Sequence, residues 1–191
     1  MNQLNFIFVL FFSVSTFGQD YSEQNKKCSE ILSDIPFGSE IFWEKLKSRD
    51  SCLVGLQAPY FEGITLENEK YNLEDLKGKV IVLNFWFTNC SPCIKEMPFL
   101  NKIVSKYKND NVVFLSFAND DTNSLMKFLK SKKFDFKVIP NASRVLIDTF
   151  KLFSAWPTSI IIDKQGKICF IEQGGIDAKS NFKNILSELM K

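Results

Sequence analysis

The sequence predicts an α/β fold with a central mixed sheet covered by helices on both faces. Residues 80–86 and 112–118 are nearly continuous apolar runs, which is typical of strands buried on both sides. Helical patterns follow these runs at residues 92–108 and 122–132, with apolar side chains recurring on one face. Strands that alternate with helices in this way indicate a layered α/β architecture.

A hairpin and a helix are predicted to complete this domain at its C-terminal end. Residues 159–163 and 167–172 are strand-like and flank a turn that contains Gly166, a residue typical of tight hairpins. Residues 178–190 form an amphipathic pattern, so the chain is expected to end in a helix. Residues 136–139 are expected to add a short edge strand.

Two further elements are predicted outside this alternation. Residues 61–66 and 70–73 indicate an added β-hairpin whose turn contains Asn68, a residue that tolerates turn conformations. Residues 144–153 have a helical pattern. Pro98 interrupts the pattern at residues 92–108 and is expected to kink that helix.

Composition excludes several functional classes. The 191 residues include 24 basic and 22 acidic side chains and no histidine. A net charge of +2 gives no basic surface for nucleic acid. The absence of histidine excludes Ser-His-Asp and Cys-His hydrolases and histidine-ligated metal sites within this chain. Acid–base chemistry is left to carboxylates, lysine, tyrosine or cysteine.

The N-terminus is typical of an exported protein. Residues 1–18 carry no charged side chain and contain an apolar run, which predicts a signal peptide cut between Gly18 and Gln19. The alternative is an uncleaved membrane anchor, but the apolar run is shorter than the ~20 residues of a spanning helix. We therefore expect export, in a bacterium to the periplasm, where disulfides persist.

Residues 19–54 are interpreted as an N-terminal extension and residues 55–191 as the main domain. The extension contains a short helical pattern at residues 39–47, with Ser39 as its cap. Cys28 and Cys52 flank that helix, and a structural disulfide between them would stabilise the extension. Cys169 is interpreted as a free buried thiol, and pairing of Cys169 with either of the other two remains an alternative.

The motif Cys90-Ser91-Pro92-Cys93 lies where a predicted strand ends and a helix begins. Unpaired amides and partial positive charge at a helix N-terminus favour a thiolate, the nucleophile of disulfide exchange. Cys93 lies one turn further on, where its sulfur can displace a mixed disulfide formed by Cys90. The alternatives are half of a zinc site, which lacks a second ligand pair, and a purely structural disulfide.

These features together resemble a known family. Residues 55–175 are similar to the exported thioredoxin-like thiol–disulfide oxidoreductases of the type used in cytochrome c maturation, which are redoxin-like. The motifs that carry the resemblance are Ala58-Pro59-Tyr60-Phe61, residues 73–79, the segment around Cys90 and Cys93, Lys95-Glu96-Met97-Pro98 and Trp156-Pro157-Thr158.

The resemblance implies a role for each matching residue. Cys90 would attack a client disulfide and Cys93 would resolve the intermediate. Glu96 would assist proton transfer, although its type and position also suit an exposed helix carboxylate. Pro157 would be a cis-proline beside the cysteine pair, with the backbone near Trp156 pairing with an extended substrate segment.

The chain departs from the family at two positions and from cytosolic thioredoxins at a third. Asn89 stands directly before the first cysteine, where the family usually has an aromatic residue. Trp156 precedes the proline, where smaller residues are common, so Asn89 and Trp156 are expected to influence substrate choice. Asn84 stands where cytosolic thioredoxins place a buried aspartate, which increases the expected importance of Glu96.

The predicted function is reduction of protein disulfides outside the cytosol. The redox-active Cys90–Cys93 disulfide would serve without a metal or other cofactor, and an upstream thiol would donate electrons. Nucleic acid is not an expected partner, and a membrane is one only if the N-terminal segment stays uncleaved. Two alternatives are a peroxiredoxin-like peroxide reductase, suggested by Thr88 two residues before Cys90, and a non-catalytic client-binding module.

Overall fold

A five-stranded mixed sheet forms the centre of the molecule. The computed structural model describes residues 17–108, 111–175 and 179–191. The sheet has the strand order β5–β4–β3–β6–β7, and β1 pairs with β2 in a separate hairpin. The strands are β1 (Glu62–Ile64), β2 (Lys70–Asn72), β3 (Val80–Trp86), β4 (Val112–Ala118), β5 (Lys137–Ile139), β6 (Thr158–Ile162) and β7 (Ile168–Gln173). The α-helices are α1 (Phe17–Ser29), α2 (Glu40–Cys52), α3 (Ser91–Tyr107), α4 (Thr122–Leu129) and α5 (Lys179–Leu189).

Strand β3 lies at the centre of the sheet, and every one of its residues is buried. It runs parallel to β4, with Val80 opposite Val112 and Trp86 opposite Ala118. It runs antiparallel to β6, where Phe85 lies opposite Thr158. As a result, the carboxyl ends of β3 and β4 and the start of β6 meet at one edge of the sheet.

Apolar side chains fill both faces of the sheet. On one face, Trp86 belongs to a buried cluster with Leu100 of α3 and Phe182 of α5. On the opposite face, Phe85 packs against Phe117 and Phe150 at ring-centroid distances of 5.2 and 5.8 Å. Because both faces of the central strands are buried, the sequences of these strands are continuous apolar runs.

The segment predicted as a helix at residues 144–153 forms only a short π-helical turn, Val145–Thr149. Leu146 and Phe150 are fully buried. Their spacing matches that of apolar side chains on one face of a helix, which explains the predicted helix, although the element that forms is shorter. Lys151 then takes a left-handed φ of 48°, which does not continue a helix. Helix α3, in contrast, runs through Pro98 from Ser91 to Tyr107.

The N-terminal extension is more helical than predicted. Ser39 caps α2 as expected, accepting a hydrogen bond from the Phe42 amide at 3.1 Å, but α2 extends to Cys52. Helix α1 was not predicted. The buried face of α1 includes the polar residue Asn25 as well as Tyr21 and Cys28. Because Asn25 is polar, the sequence does not show the regular spacing of apolar residues that predicts a helix.

A buried polar cluster attaches this extension to the sheet domain. The Arg49 guanidinium is fully buried; its Nη2 donates to the Lys151 carbonyl at 2.7 Å and to Asn25 Oδ1 at 3.0 Å. Its Nη1 lies 3.1 Å from Asp50 Oδ1. Burial raises the pKa of Asp50 to about 7, and the Arg49 charge opposes that rise. Tyr21 adds a hydrogen bond from its hydroxyl to the Phe150 carbonyl at 2.7 Å.

A disulfide joins Cys28 of α1 to Cys52 of α2, with the Cα atoms 5.8 Å apart. Cys28 is buried and Cys52 is exposed. Cys169 is a free, partly buried cysteine. Burial, reinforced by the nearby Asp163 carboxylate, raises the pKa of the Cys169 thiol to about 11, which makes it a poor nucleophile at neutral pH.

The predicted signal peptide at residues 1–18 lies outside the described residues, apart from Phe17 and Gly18 at the start of α1. Within the part of the chain that the structure describes, no helix has the length and apolar character needed to cross a membrane.

Replacing both Cys28 and Cys52 with serine is expected to lower the free energy of unfolding by about 2–4 kcal/mol, because the disulfide restricts the unfolded chain. Urea denaturation followed by circular dichroism measures this change. Cys169→Ser serves as the control, since it removes a thiol that closes no loop. Equal stability of the double variant and the control would show that this disulfide does not stabilise the fold.

Candidate functional site

Cys90 lies at the junction of the central strand and the helix that packs over it. Strand β3 ends at Trp86, and Cys90 is the N-cap residue of α3. Its Sγ accepts a hydrogen bond from the Cys93 amide at 3.2 Å. Pro92 occupies the first turn, where its missing N–H leaves no helical acceptor unsatisfied. The start of α3 thus directs a backbone donor, the Cys93 amide, at the Cys90 sulfur.

Cys90 and Cys93 form a disulfide, with their Cα atoms 5.2 Å apart. Each cysteine is only 3% exposed. On reduction, the amide that reaches Cys90 Sγ can hydrogen-bond a thiolate, and the dipole of α3 favours negative charge at the same position. This geometry can support attack by Cys90 on an incoming disulfide.

Glu96 lies on α3, three residues after Cys93 and therefore on the same side of the helix. Its side chain is buried, with 6% exposure, so it is not the exposed helix carboxylate considered above. The structure places a titratable group inside the protein one turn beyond Cys93.

Trp156 and Pro157 lie at the same edge of the sheet, immediately before β6. The peptide bond between them is cis. The Trp156 ring is partly buried and meets the ring of Phe87 edge to face, with centroids 6.1 Å apart. Its indole Nε1 donates to Ser154 Oγ at 2.9 Å. The carbonyl of Phe87 in turn accepts a hydrogen bond from the Cys90 amide at 3.1 Å, so the cis-proline segment lies beside the loop that leads to Cys90.

The remaining predicted positions are divided between the surface and the core. Asn89 is exposed directly before Cys90. Asn84 is buried inside β3 and donates from Nδ2 to Ser159 Oγ at 3.1 Å. This neutral pair joins β3 to β6 at a position where a carboxylate would bring charge into the core. Cys28 and Cys52 lie in the N-terminal extension and are not part of the junction between β3 and α3.

Asp120 is a residue of this site that the sequence did not reveal. Its carboxylate accepts a hydrogen bond from the Thr88 amide at 2.8 Å and one from the Thr88 hydroxyl at 2.7 Å. These bonds hold the loop that leads to Cys90. Asp120 follows β4 in the chain. The sequence could have indicated its position only through the rule that the carboxyl ends of parallel strands meet at a common edge of the sheet.

The family comparison covers most of the sheet domain. The AhpC/TSA family matches residues 54–171. A thiol-disulfide oxidoreductase ResA from Bacillus cereus strain ATCC 10987 is 40% identical over 132 residues, which span 69% of this chain and 76% of that protein. The ResA protein of Bacillus subtilis strain 168 is 29% identical over 138 residues, spanning 72% of this chain and 76% of that protein.

Solved structures show the same architecture. The thioredoxin domain of a thiol-disulfide oxidoreductase from Bacteroides vulgatus superposes with a TM-score of 0.61 at 26% identity, covering 72% of this chain and 98% of that one. A thiol:disulfide interchange protein from a Bacteroides species gives a TM-score of 0.60 at 25% identity, covering 70% and 90%.

The fold and the disulfide at the start of α3 define a thioredoxin-like protein. Within that class the chain belongs to the AhpC/TSA family, whose match spans more than half of it. The predicted thioredoxin-like fold is confirmed, and so is the predicted enzyme class, a thiol–disulfide oxidoreductase.

Thr88→Val is expected to lower the free energy of unfolding by about 1–2 kcal/mol, because it removes a hydroxyl that donates to a carboxylate. Urea denaturation tests this change, and Thr88→Ser, which keeps the hydroxyl, should stay near the wild type. A valine variant as stable as the wild type would show that the hydroxyl's bond to Asp120 adds no stability, and a loss confined to the serine variant would point to the methyl group, which valine retains.

Proposed function

We propose that this protein is an exported reductant of protein disulfides. The observation that carries the proposal is the cap of α3, where the Cys93 amide donates to Cys90 Sγ at 3.2 Å. A group so placed is stabilised as a thiolate. The similarity to ResA proteins supports the oxidoreductase chemistry, and the apolar N-terminal segment supports export.

The proposed reaction moves two electrons from the protein to the client. The Cys90 thiolate attacks one sulfur of a client disulfide; a Cys90–client bond forms as the client's sulfur–sulfur bond breaks, and the second client sulfur leaves as a thiolate. The Cys93 thiolate then attacks Cys90 Sγ and releases the first client sulfur. The client is reduced, the Cys90–Cys93 disulfide is restored, and an upstream thiol donor reduces it again.

The proposed client surface consists of Asn89, Trp156 and the backbone before Pro157. The Trp156 ring is partly buried and Asn89 is exposed, so both are accessible from the side on which Cys90 begins α3. A client segment that lies on this surface would bring its own disulfide close to the Cys90–Cys93 pair.

A redox titration of a variant in which Cys28, Cys52 and Cys169 are replaced with serine, followed by tryptophan fluorescence, tests the direction of electron transfer through the Cys90–Cys93 pair. A reductant is expected to show a reversible two-electron transition near −270 mV, like that of thioredoxin. A transition near −120 mV would make the protein an oxidant. No reversible transition would contradict the mechanism and favour a client-binding module.

Trapping tests the order of attack. Cys93→Ser should accumulate a covalent adduct with an oxidised protein such as insulin, because the resolving thiol is absent. Cys90→Ser is the matched control and should form none. Non-reducing gel electrophoresis with mass spectrometry distinguishes the two, and equal adducts from both variants would contradict attack by Cys90.

We further propose that Glu96 exchanges the proton that Cys93 loses before it resolves the mixed disulfide. Glu96→Gln keeps the size of the side chain and removes its titration. The resolution rate, measured by stopped-flow fluorescence across the pH range, is expected to fall about tenfold near neutral pH and to lose the inflection due to the carboxyl. An unchanged pH profile would show that Glu96 is structural.

The hydrogen bonding of Thr88 does not support the alternative that the protein is a peroxide reductase. The Thr88 hydroxyl donates its hydrogen to Asp120 Oδ1 at 2.7 Å, so in this arrangement that hydrogen does not serve Cys90. Consumption of hydrogen peroxide by the purified reduced protein would establish that alternative.

A further inference from the structure

A cavity of about 450 Å³ lies between the N-terminal extension and the cis-proline segment. One wall is helix α2, and the opposite wall is formed by residues 154–156 and 173–175. The residues that matter for its chemistry are Trp43, Asp50, Trp156, Gln173, Gly174 and Gly175. Most of them fall outside residues 54–171, which match the family.

The cavity is continuous with the proposed client surface. Trp156 belongs to both, since its ring lines the cavity and also meets Phe87 beside the Cys90 loop. Gly174 donates its amide to the Pro157 carbonyl at 2.8 Å. A Cβ on Gly175 would lie 3.9 Å from the Pro157 ring, so the glycine backbone lies directly against the cis-proline.

The polar lining of the cavity contains an acceptor without a donor. Gln173 is only 8% exposed, and its Nε2 donates to Asp50 Oδ1 at 3.4 Å. Among the described residues, no donor reaches Gln173 Oε1. Oε1 has almost no accessible surface in this conformation, so a donor in the cavity reaches it only when the Gln173 side chain turns. An N–H or O–H group would then satisfy an acceptor that is otherwise unpaired.

The walls suit a peptide. Trp43 is 40% exposed on α2, so its indole and that of Trp156 provide flat apolar surfaces with little conformational freedom to lose. Gly174 carries no side chain, and nothing lies within 4 Å of where a Cβ would be, so another chain can approach its backbone closely. Lys47 and Asp50 also line the cavity. Its walls therefore combine flat indoles, bare backbone, a buried acceptor and one basic and one acidic side chain, a mixture that matches a polypeptide better than a small molecule.

We propose that this cavity binds the extended client segment next to the cysteine attacked by Cys90, with a client N–H group donating to Gln173 Oε1 and with Trp43 packing on the segment. This inference rests on the proposed function and adds a specificity determinant that the extension contributes. Trp43 and Gln173 would determine which peptides bind and would take no part in sulfur chemistry.

The test uses two pools of synthetic peptides, each with a central cysteine activated as a mixed disulfide with thionitrobenzoate. Long peptides carry five randomised residues on each side of the cysteine, and short ones carry a single alanine. The rate of attack by reduced full-length protein is followed by the release of thionitrobenzoate. We expect the favoured long peptides to react about tenfold faster than the short ones, the effect of one good contact.

Trp43→Ala and Gln173→Leu should each remove that advantage while leaving the rate for short peptides and the redox transition within about twofold of the wild type. Ile41→Ala is the matched control, because Ile41 is 59% exposed on the same helix and does not line the cavity. Trp43→Phe should retain part of the advantage.

The possible failures are distinguishable. Equal rates for long and short peptides in the wild type would overturn the cavity proposal and leave the proposed function standing. Variants that react more slowly with both peptide pools to the same extent would also overturn the cavity proposal, because equal slowing indicates a structural effect. If the reduced wild type attacks neither pool, the proposed function itself fails.

Discussion

The site depends on one hydrogen bond, from the Cys93 amide to Cys90 Sγ at 3.2 Å. An ordinary helix begins with a serine or aspartate oxygen in this position, whereas here the cap is a sulfur. The residue that ends the loop after β3 is therefore also the residue that we propose attacks the client. Since β3 is buried along its whole length, the packing of the core determines where that sulfur lies.

The mixed topology of the sheet explains why residues distant in sequence meet at this sulfur. Parallel strands β3 and β4 end at the same edge, which brings Asp120 to the Thr88 backbone at 2.8 Å. Strand β6 is antiparallel to β3, so its first residues, and the cis bond to Pro157 before them, lie at that edge too. A parallel β6 would place Pro157 at the opposite edge.

The sequence was most informative where one local pattern determined the structure. Continuous apolar runs located β3 and β4, and the cysteine spacing located the start of α3. It was least informative where distant contacts decide, as for Asp120, whose carboxylate binds a loop 32 residues earlier, and for α1, whose buried stripe includes Asn25. Asn25 is tolerated there because Arg49 and the Phe150 carbonyl satisfy its amide, partners that no local pattern reveals.

Two different interactions position the extension, one within it and one that attaches it to the sheet domain. The Cys28–Cys52 disulfide fixes α1 to α2, and the buried Arg49 guanidinium bonds the loop carbonyl of Lys151 at 2.7 Å. A buried charge contributes little net stability, but it tolerates few arrangements because each lost partner leaves it unsatisfied. Helix α2, and Trp43 with it, is thereby kept beside Trp156. The matched family region contains the Cys90–Cys93 pair, and the segment before it forms one wall of the cavity that we propose binds the client.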